Sequence, residues 1–489
     1  MLNNEKRGKN INFSRNNLDK ALSPYLRQHS DNPVFWQEWS SDVLAYAKEE
    51  GKILFVSAGY STCHWCHVMA SEAFSDQMCA DYLNRYFVSI KIDREERPDI
   101  DRYLMSYLTA STGSGGWPLN AFLSPDLKPF FAMTYAPLDS RYNMPGFYQI
   151  LRQVKDFYDN NSSMLSEFTP VYNIQGKEGK GAAQIDKALL AQADFNPDAK
   201  EGFEGAGGFG TNQKFPPHSS MLYLLYRIAG FKSADSSSTQ GSTDSSTEKD
   251  ESAINNSIIK LVRKTLDSMC LKGLHDHLQG GFFRYCVDRS WTIPHFEKML
   301  YDQAMLLWVF SLASRIFKEP LYKDCAEGIF RCLSETFLDN GLFCAAYDAD
   351  TDHREGDTYL WETAELEKIL SKEEFDAISR VYSLPERGNF EGKIHLIKKD
   401  GYTDILSADG KSSALLKNLL SAEEKLLTAR KERLQPFCDC KKITSWNSFA
   451  GIALLQMHRH LGNNDALNMA LDMRSELVNS HITKTGTVL

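Results

Sequence analysis

No stretch of this 489-residue sequence holds the roughly 20 consecutive apolar residues that a bilayer-spanning helix needs. Its opening, MLNNEKRGKNINFSRNN, also lacks the apolar middle of a secretory leader. A soluble, cytoplasmic protein is expected. An excess of positive charge is missing too: 55 Lys and Arg stand against 64 Asp and Glu, a formal net charge of −9 with no basic stripe. Without that electrostatic footprint neither nucleic acid nor a membrane surface is an expected partner. Cysteine is sparse and irregularly spaced, ten residues in all, unlike the dense framework of a small disulfide-stapled domain. Most of these thiols are expected to be reduced and buried. No cofactor and no metal site is expected.

What is present is ample apolar content, 42% of residues, enough for two or three domains. Between residues 52 and 161 strand and helix periodicities alternate, the pattern of an α/β sandwich. Strand-like KILFVSAG leads to a helix starting near Cys63, DQMCADYLNRYF is helical and FVSIKID is a strand. Further on, DIDRYLMSYLTAS is helical and LNAFLSPDLKPFFAMTY reads as a hairpin turning at Ser124, Pro125 and Asp126. A domain boundary is expected in a connector at 166–200. Beyond it long helices recur, such as INNSIIKLVRKTLDSMC with Ile254, Ile258, Val262, Leu266 and Met269 on one face. Glycine-aromatic loops at 205, 278 and 339 separate them, as in an array of helical hairpins. The run SADSSSTQGSTDSSTEKD, 233–250, has the composition of a flexible insertion.

The sharpest motif is STCHWCH, with Cys63 and Cys66 one helical turn apart at the start of a helix. A thiol pKa of about 8.5 falls at such a terminus, and the spacing lets a reversible disulfide close. His64 would support the thiolate when protonated. The dipeptide Trp117-Pro118, just before a strand, is the candidate cis proline beside such a dithiol. Together these predict a thioredoxin-like domain over 17–165, with Cys63 attacking, Cys66 resolving and Pro118 holding the substrate strand. The same string fits the CxxCH pattern of covalent haem and could lend Cys63, Cys66 and His67 to zinc. Simple packing of two half-buried cysteines is the remaining alternative.

SPYLRQHSDNPVFWQEW, SAGYSTCHWCHVMASEAF, IKIDREERPDIDRYLM, TGSGGWPLNAFLSPDLKPFF, GGFGTNQKFP, GGFFRYCVDRSWTIPHFEKMLYDQA and TSWNSFAGIALL together resemble the spermatogenesis-associated protein 20-like family. The resemblance implies a thioredoxin-like domain followed, over 201–489, by an (α/α)6 toroid similar to six-hairpin glycosidases and sugar epimerases. Two positions depart from it: Ser448 replaces a usual glycine, and Cys440 stands where a carboxylate is usual. The chain also ends at ITKTGTVL, where the family carries further hairpins, so the resemblance implies an incomplete toroid.

Loops at one end of such a toroid converge on a cavity. WTIPHFEKMLYD places His295, Glu297 and Asp302 at an expected helix start, with Lys298 sharing a face with His295 and with Asp302. AAYDADTDHREGDTYLW offers Asp348, Asp350, Asp352 and Glu355 among Tyr347, Tyr359 and Trp361. Paired carboxylates serve glycoside hydrolysis, and His295 with His275 or His277 would serve an epimerase as acid and base. Ordinary acidic turns and caps are the competing reading, as is a solvated turn for DREERPD with Arg94 and Arg97 paired locally. The leading function is thiol–disulfide exchange with an unknown protein or small-thiol substrate. Carbohydrate chemistry on a possible sugar ligand and a non-catalytic interaction scaffold are the rivals.

Overall fold

Five strands form the sheet of the first unit: β1 (Gln37–Glu38), β2 (Ile53–Gly59), β3 (Phe87–Asp93), β4 (Leu119–Leu123) and β5 (Pro129–Met133). Their order is β1-β3-β2-β4-β5. β2 and β3 run parallel from Ile53 opposite Phe87 to Gly59 opposite Asp93, β1 is also parallel to β3, and β4 and β5 are antiparallel. The structure, a computed structural model, describes residues 11–141, 144–167, 206–209, 212–235, 245–402 and 414–488. The chain divides into two compact units, 1–190 and 191–489. Most of the expected connector at 166–200 lies outside the described residues.

Helices cover the sheet: α1 (Pro24–Arg27), α2 (Ser41–Glu49), α3 (His64–Ser71), α4 (Gln77–Tyr86), α5 (Pro98–Thr112) and α6 (Phe147–Glu167). With both faces covered, β2 and β3 are buried at all seven of their positions; β2 accordingly reads as a nearly continuous apolar run, whereas β3 alternates and buries Ser89, Lys91 and Asp93. Phe55 of β2 is wholly buried. Its ring stacks on Phe122 of β4 at 4.9 Å and lies 5.7 Å from Trp36 and 5.8 Å from Phe147. The hairpin between β4 and β5 turns where expected, the Leu127 N–H donating to the Ser124 carbonyl.

The second unit is mainly helical, an (α/α) toroid-like array: α7 (His218–Asp235), α8 (Ser245–Leu271), α9 (Leu300–Phe317), α10 (Pro320–Cys332), α11 (Thr363–Ile369), α12 (Lys372–Val381), α13 (Ala414–Lys431), α14 (Thr444–Leu461) and α15 (Asn464–His481). Around α9, two-thirds of whose residues are buried, pack α7, α10 and α14. Ile258, Val262, Leu266 and Met269 of α8 are buried as their spacing requires. The expected insertion at 233–250 does not stand as one segment: 233–235 end α7, 245–250 begin α8, and 236–244 lie outside the described residues.

A second correction concerns WTIPHFEKML. His295 and Lys298 lie in short strands, Pro294–His295 and Lys298–Met299, and the helix begins only at Leu300. They therefore share no helical face. Lys298 instead points into a buried ion cluster, its Nζ 2.7 Å from Asp276, whose other oxygen lies 2.8 Å from Arg430 of α13. Burial pushes the Asp276 carboxyl up, but the two cations outweigh it and hold it well below the usual range. The glycine loop follows from a close approach: at Gly280 (φ +87) a Cβ would lie 2.1 Å from the Gly328 carbonyl of α10.

Removing the Phe55 ring leaves a cavity at the centre of the first unit's core. Phe55→Ala is expected to cost about 3–5 kcal/mol of that unit's stability, read from its urea transition. A loss below about 1 kcal/mol would mean the core closes over the gap.

Candidate functional site

The end of β2 sets the site. The chain leaves the sheet at Gly59, passes through buried Ser61 and Thr62, and enters α3 with Cys63 as its N-cap. The Cys63 N–H donates to the Tyr60 carbonyl at 3.2 Å, and the Cys63 carbonyl accepts from Cys66 at 3.0 Å and His67 at 3.1 Å. This folds the two cysteines to a Cα separation of 5.2 Å, with their sulfurs joined as a disulfide. Cys63 is 4% exposed and Cys66 2%. Between them the indole of Trp65 is half exposed and packs on Tyr135 at 4.9 Å. His64 lies edge-on to that indole.

Pro118 occupies the place expected of it. The Trp117–Pro118 peptide bond is cis, and since Leu119 pairs with Ala58, Pro118 stands level with Gly59, where the chain turns towards Cys63. The loop is tied down by groups that the sequence reading set aside. Trp117 Nε1 donates to Asp101 Oδ1 of α5 at 2.8 Å, and the Arg94 guanidinium lies 3.9 Å over the Trp117 ring and 5.4 Å from that of Tyr60. Arg97 pairs locally with Asp99 as expected, but Arg94, its side chain 22% exposed, lies 3.7 Å from Asp101 rather than in a solvated turn. Its backbone N–H also donates to the Gly59 carbonyl at 2.9 Å.

Beneath the disulfide lies a buried polar layer. Lys91 of β3, 1% exposed, donates to Ser57 Oγ at 3.1 Å, and its ammonium is 4.4 Å from the Phe74 ring centre, 4.8 Å from Trp36 and 5.3 Å from Tyr25. Burial drives its pKa well below the usual lysine value. Ser23 Oγ donates to Asp93 at 2.6 Å. The Tyr25 hydroxyl has no hydrogen-bond partner among the described residues, and burial first, Asp93 second, raise its pKa. Neither Tyr25 nor Lys91 carries a motif; each reads as ordinary strand or helix content.

In the second unit His295 Nδ1 and Glu355 Oε1 lie 2.6 Å apart, and backbone pairing sets Asp350 opposite Glu355. Tyr285 stands 5.1 Å from the His295 ring, its hydroxyl pushed up to about 12 by burial, then by Glu355 and Glu297. Asp302 binds His218 at 3.1 Å and Arg284 at 3.1 Å, and Glu297 lies 4.0 Å from Arg284. Asp348 instead closes its own turn, accepting from the Asp350 N–H. His275 and His277 are buried against each other, Nδ1 to Nδ1 3.2 Å; burial takes His275 down to about 3 and His277 well below its usual value. Neither is a protonated acid near neutral pH.

Sequence reading noted Cys440 only as a departure from the family pattern and did not connect it with Cys344 and Cys438; the three sulfurs lie within 4.8 Å of one another. Cys438 beside it and the Lys442 ammonium lower the Cys344 thiol to about 6. The signal was a CxC pair, but its third member lies 94 residues upstream of Cys438, by the difference of their numbers.

A mixed sheet whose central strand ends in a dithiol at a helix N-terminus defines a thioredoxin-like domain. Residues 15–172 match the family described as Thioredox_DsbH, protein of unknown function, DUF255. The chain is 33% identical over 477 residues to an uncharacterized protein of Caenorhabditis elegans, covering 91% of this chain and 62% of that one. It is 32% identical over 494 residues to spermatogenesis-associated protein 20 of Homo sapiens, covering 93% and 60%. The chain is similar to the spermatogenesis-associated protein 20 proteins over about nine-tenths of its own length, and spans about three-fifths of the length of the curated relatives it matches. Among solved structures it is similar to one named DsbH oxidoreductase, at 18% identity, 25% of this chain, 83% of that chain and a TM-score of 0.20. It is also similar to a sugar epimerase from a ruminal bacterium, at 12% identity, 62% and 89% coverage and a TM-score of 0.25. Among the described residues no helix is long and apolar enough to cross a membrane.

The Lys91 environment generates a pH test. Because its folded pKa is lowered, the native chain binds fewer protons than the unfolded one between that value and about 10.4. This group therefore makes stability rise with pH across that window. Lys91→Met is expected to be at least as stable as the parent at pH 7, with its advantage shrinking by pH 10, as measured by urea unfolding. A loss present equally at both pH values would mean that the side chain's packing, not its charge, dominates.

Proposed function

We propose that the chain is a thiol–disulfide oxidoreductase acting on a protein or small-thiol disulfide. The observation that carries this is the placement of Cys63 and Cys66 at the N-terminus of α3, with Cα atoms 5.2 Å apart at the end of the central strand. The reduced Cys63 thiolate is favoured there by the helix N–H groups and dipole. It attacks one sulfur of the substrate disulfide; that S–S bond breaks, and the departing sulfur takes a proton. Cys66 then attacks Cys63 within the mixed disulfide, releasing the second substrate thiol and leaving the Cys63–Cys66 disulfide. Two electrons pass to the substrate, and an external dithiol restores them.

Two surrounding features fit this division of labour. Cys66 is the inner sulfur, facing Gly59 and the Tyr25 hydroxyl, so a Cys66 thiolate formed on reduction meets an O–H donor otherwise without a partner. The exposed Trp65 and the Trp117–Pro118 loop provide the outer surface for a substrate chain. The relevant assay is dithiothreitol-driven reduction of a model protein disulfide by the full chain. Cys63→Ser is expected to bring the rate to background, while Cys66→Ser should accumulate a mixed disulfide visible by mass. Undiminished turnover in Cys63→Ser would remove the proposal.

A second reading rests on the 2.6 Å His295–Glu355 pair beside Tyr285 and Asp350 in the second unit. A carboxylate-oriented imidazole is suited to proton transfer at a sugar carbon or hydroxyl. This site would raise the melting temperature with a sugar ligand, and the increase would vanish in His295→Gln. A broad sugar panel without any shift would dispose of it.

A further inference from the structure

Three thiols converge in the second unit at positions fixed by backbone pairing. Cys344 follows the strand Leu342–Phe343, and its N–H donates to the Phe337 carbonyl at 2.8 Å. Cys438 sits in the strand Cys438–Asp439, opposite Tyr347, and the Ala345 N–H donates to the Asp439 carbonyl at 2.9 Å. Cys440 lies two residues on, just past the end of that strand, and Cys344 lies in the link between the strands Leu342–Phe343 and Ala346–Tyr347, the second of which pairs with Cys438–Asp439. Their sulfurs lie within 4.8 Å of one another, and those of Cys438 and Cys440 are 3.7 Å apart. Two sulfurs bound at about 2.3 Å to one tetrahedral zinc ion stand about 3.8 Å apart.

The surroundings suit thiolates. Lys442 Nζ lies 3.2 Å from Cys344 Sγ and 2.9 Å from Asp339, so an ammonium donor is already aimed at the most buried sulfur. From Cys344 through Cys438 to Cys440 the group passes from buried to exposed, giving an ion a way in and leaving a fourth position within reach of water.

We propose that Cys344, Cys438 and Cys440 form a three-thiolate site for a single thiophilic d10 cation, Zn2+ foremost, with Lys442 hydrogen-bonded to the Cys344 sulfur behind it. Soft thiolate donors select such ions over hard ones. Three thiolates and a divalent ion leave one negative charge, which the Lys442 ammonium faces from the buried side, while its other partner, Asp339, is about half exposed to water. On binding, each thiol that enters as such gives its proton to solvent, three sulfur–metal bonds replace water on the ion, and no electrons move. The outer ammonium tunes and orients the sulfur it touches.

The test uses the full chain carrying Cys63→Ser and Cys66→Ser, which removes the other dithiol as a competing ligand. The protein is reduced, stripped of metal and titrated with Zn2+ against a chromophoric chelator, and separately with Co2+. One equivalent of Zn2+ per chain is expected, together with a near-ultraviolet sulfur-to-cobalt charge-transfer band. Both should be lost in a further Cys440→Ser variant. That position is exposed, and an unchanged melting temperature without metal verifies the fold; Cys440→Ala gives a second check. No stoichiometric uptake, uptake without the charge-transfer band, or undiminished uptake in the Cys440 variants would overturn the site.

Discussion

At position 59 there is no room for a side chain: a Cβ would lie 2.3 Å from the Tyr25 hydroxyl and 2.7 Å from Cys66 Sγ. Two helices reach the end of the central strand only because nothing projects from it there. α1 brings Tyr25 to one side and α3 brings Cys66 to the other, and the Gly59 carbonyl, still available, accepts from Arg94 at the end of β3. Arg94 in turn lies over Trp117, so the loop holding Pro118 is referenced to the same residue. The spacing of dithiol, proline loop and buried polar layer thus descends from one close backbone approach. Gly59 acts here through its missing side chain, not through an unusual backbone angle.

That chain of dependence explains what could be read in advance. The dithiol, the cis proline and the β4–β5 turn are each written in fewer than ten consecutive residues, and local sequence is enough to place them. Tyr25, Lys91, Asp93 and Arg94 act on the site across tens of residues; Ser23 and Asp93 are 70 apart. In FVSIKID a lysine amid apolar residues looks like the solvent-facing position of a half-buried strand. Because helices cover both faces of β3, it is sealed in, and three aromatic rings take the place of water around it. Nothing in seven residues distinguishes those two outcomes. The second unit was legible as an array of helices and illegible in its loops, for the same reason. The residues before Leu300 have the spacing of a helix start, yet they are drawn into short strands by backbone pairing with Tyr285–Cys286 and with Ala346–Tyr347, the latter tens of residues further along the chain.

The Asp276 cluster also redistributes chemical capacity among the histidines. A buried ion group is costly unless each charge is met, and here one carboxylate answers two cations within 3.0 Å. Burial above all, with the Lys398 ammonium adding to it and Asp276 opposing it without prevailing, holds His275 and His277 neutral. They serve as packing and as acceptors or donors of fixed hydrogen bonds, His277 bonding the Lys272 carbonyl. His295 differs because its neighbour is a carboxylate that remains about a quarter exposed. A histidine is useful for proton transfer when its environment lets both protonation states exist, and of these three only His295 has an anion in hydrogen-bond contact with its ring.

The same logic separates the two sulfur groups. Cys63 and Cys66 are a pair, closed by one turn of helix, and a pair can take up two electrons and return them with no sulfur left over. Cys344, Cys438 and Cys440 are three, and any disulfide among them leaves one thiol over. A redox cycle gains nothing from that third thiol, whereas a cation gains a bond from it. The backbone favours the same assignment. In the N-terminal pair the sulfurs sit on a helix end, where a small rotation opens or closes the bond. In the trio, Cys438 is set by sheet pairing and Cys344 by its N–H bond to the Phe337 carbonyl, the kind of rigid frame that suits coordination geometry better than bond exchange. Only Cys440, exposed and beyond the end of its strand, is free to move in as a ligand arrives.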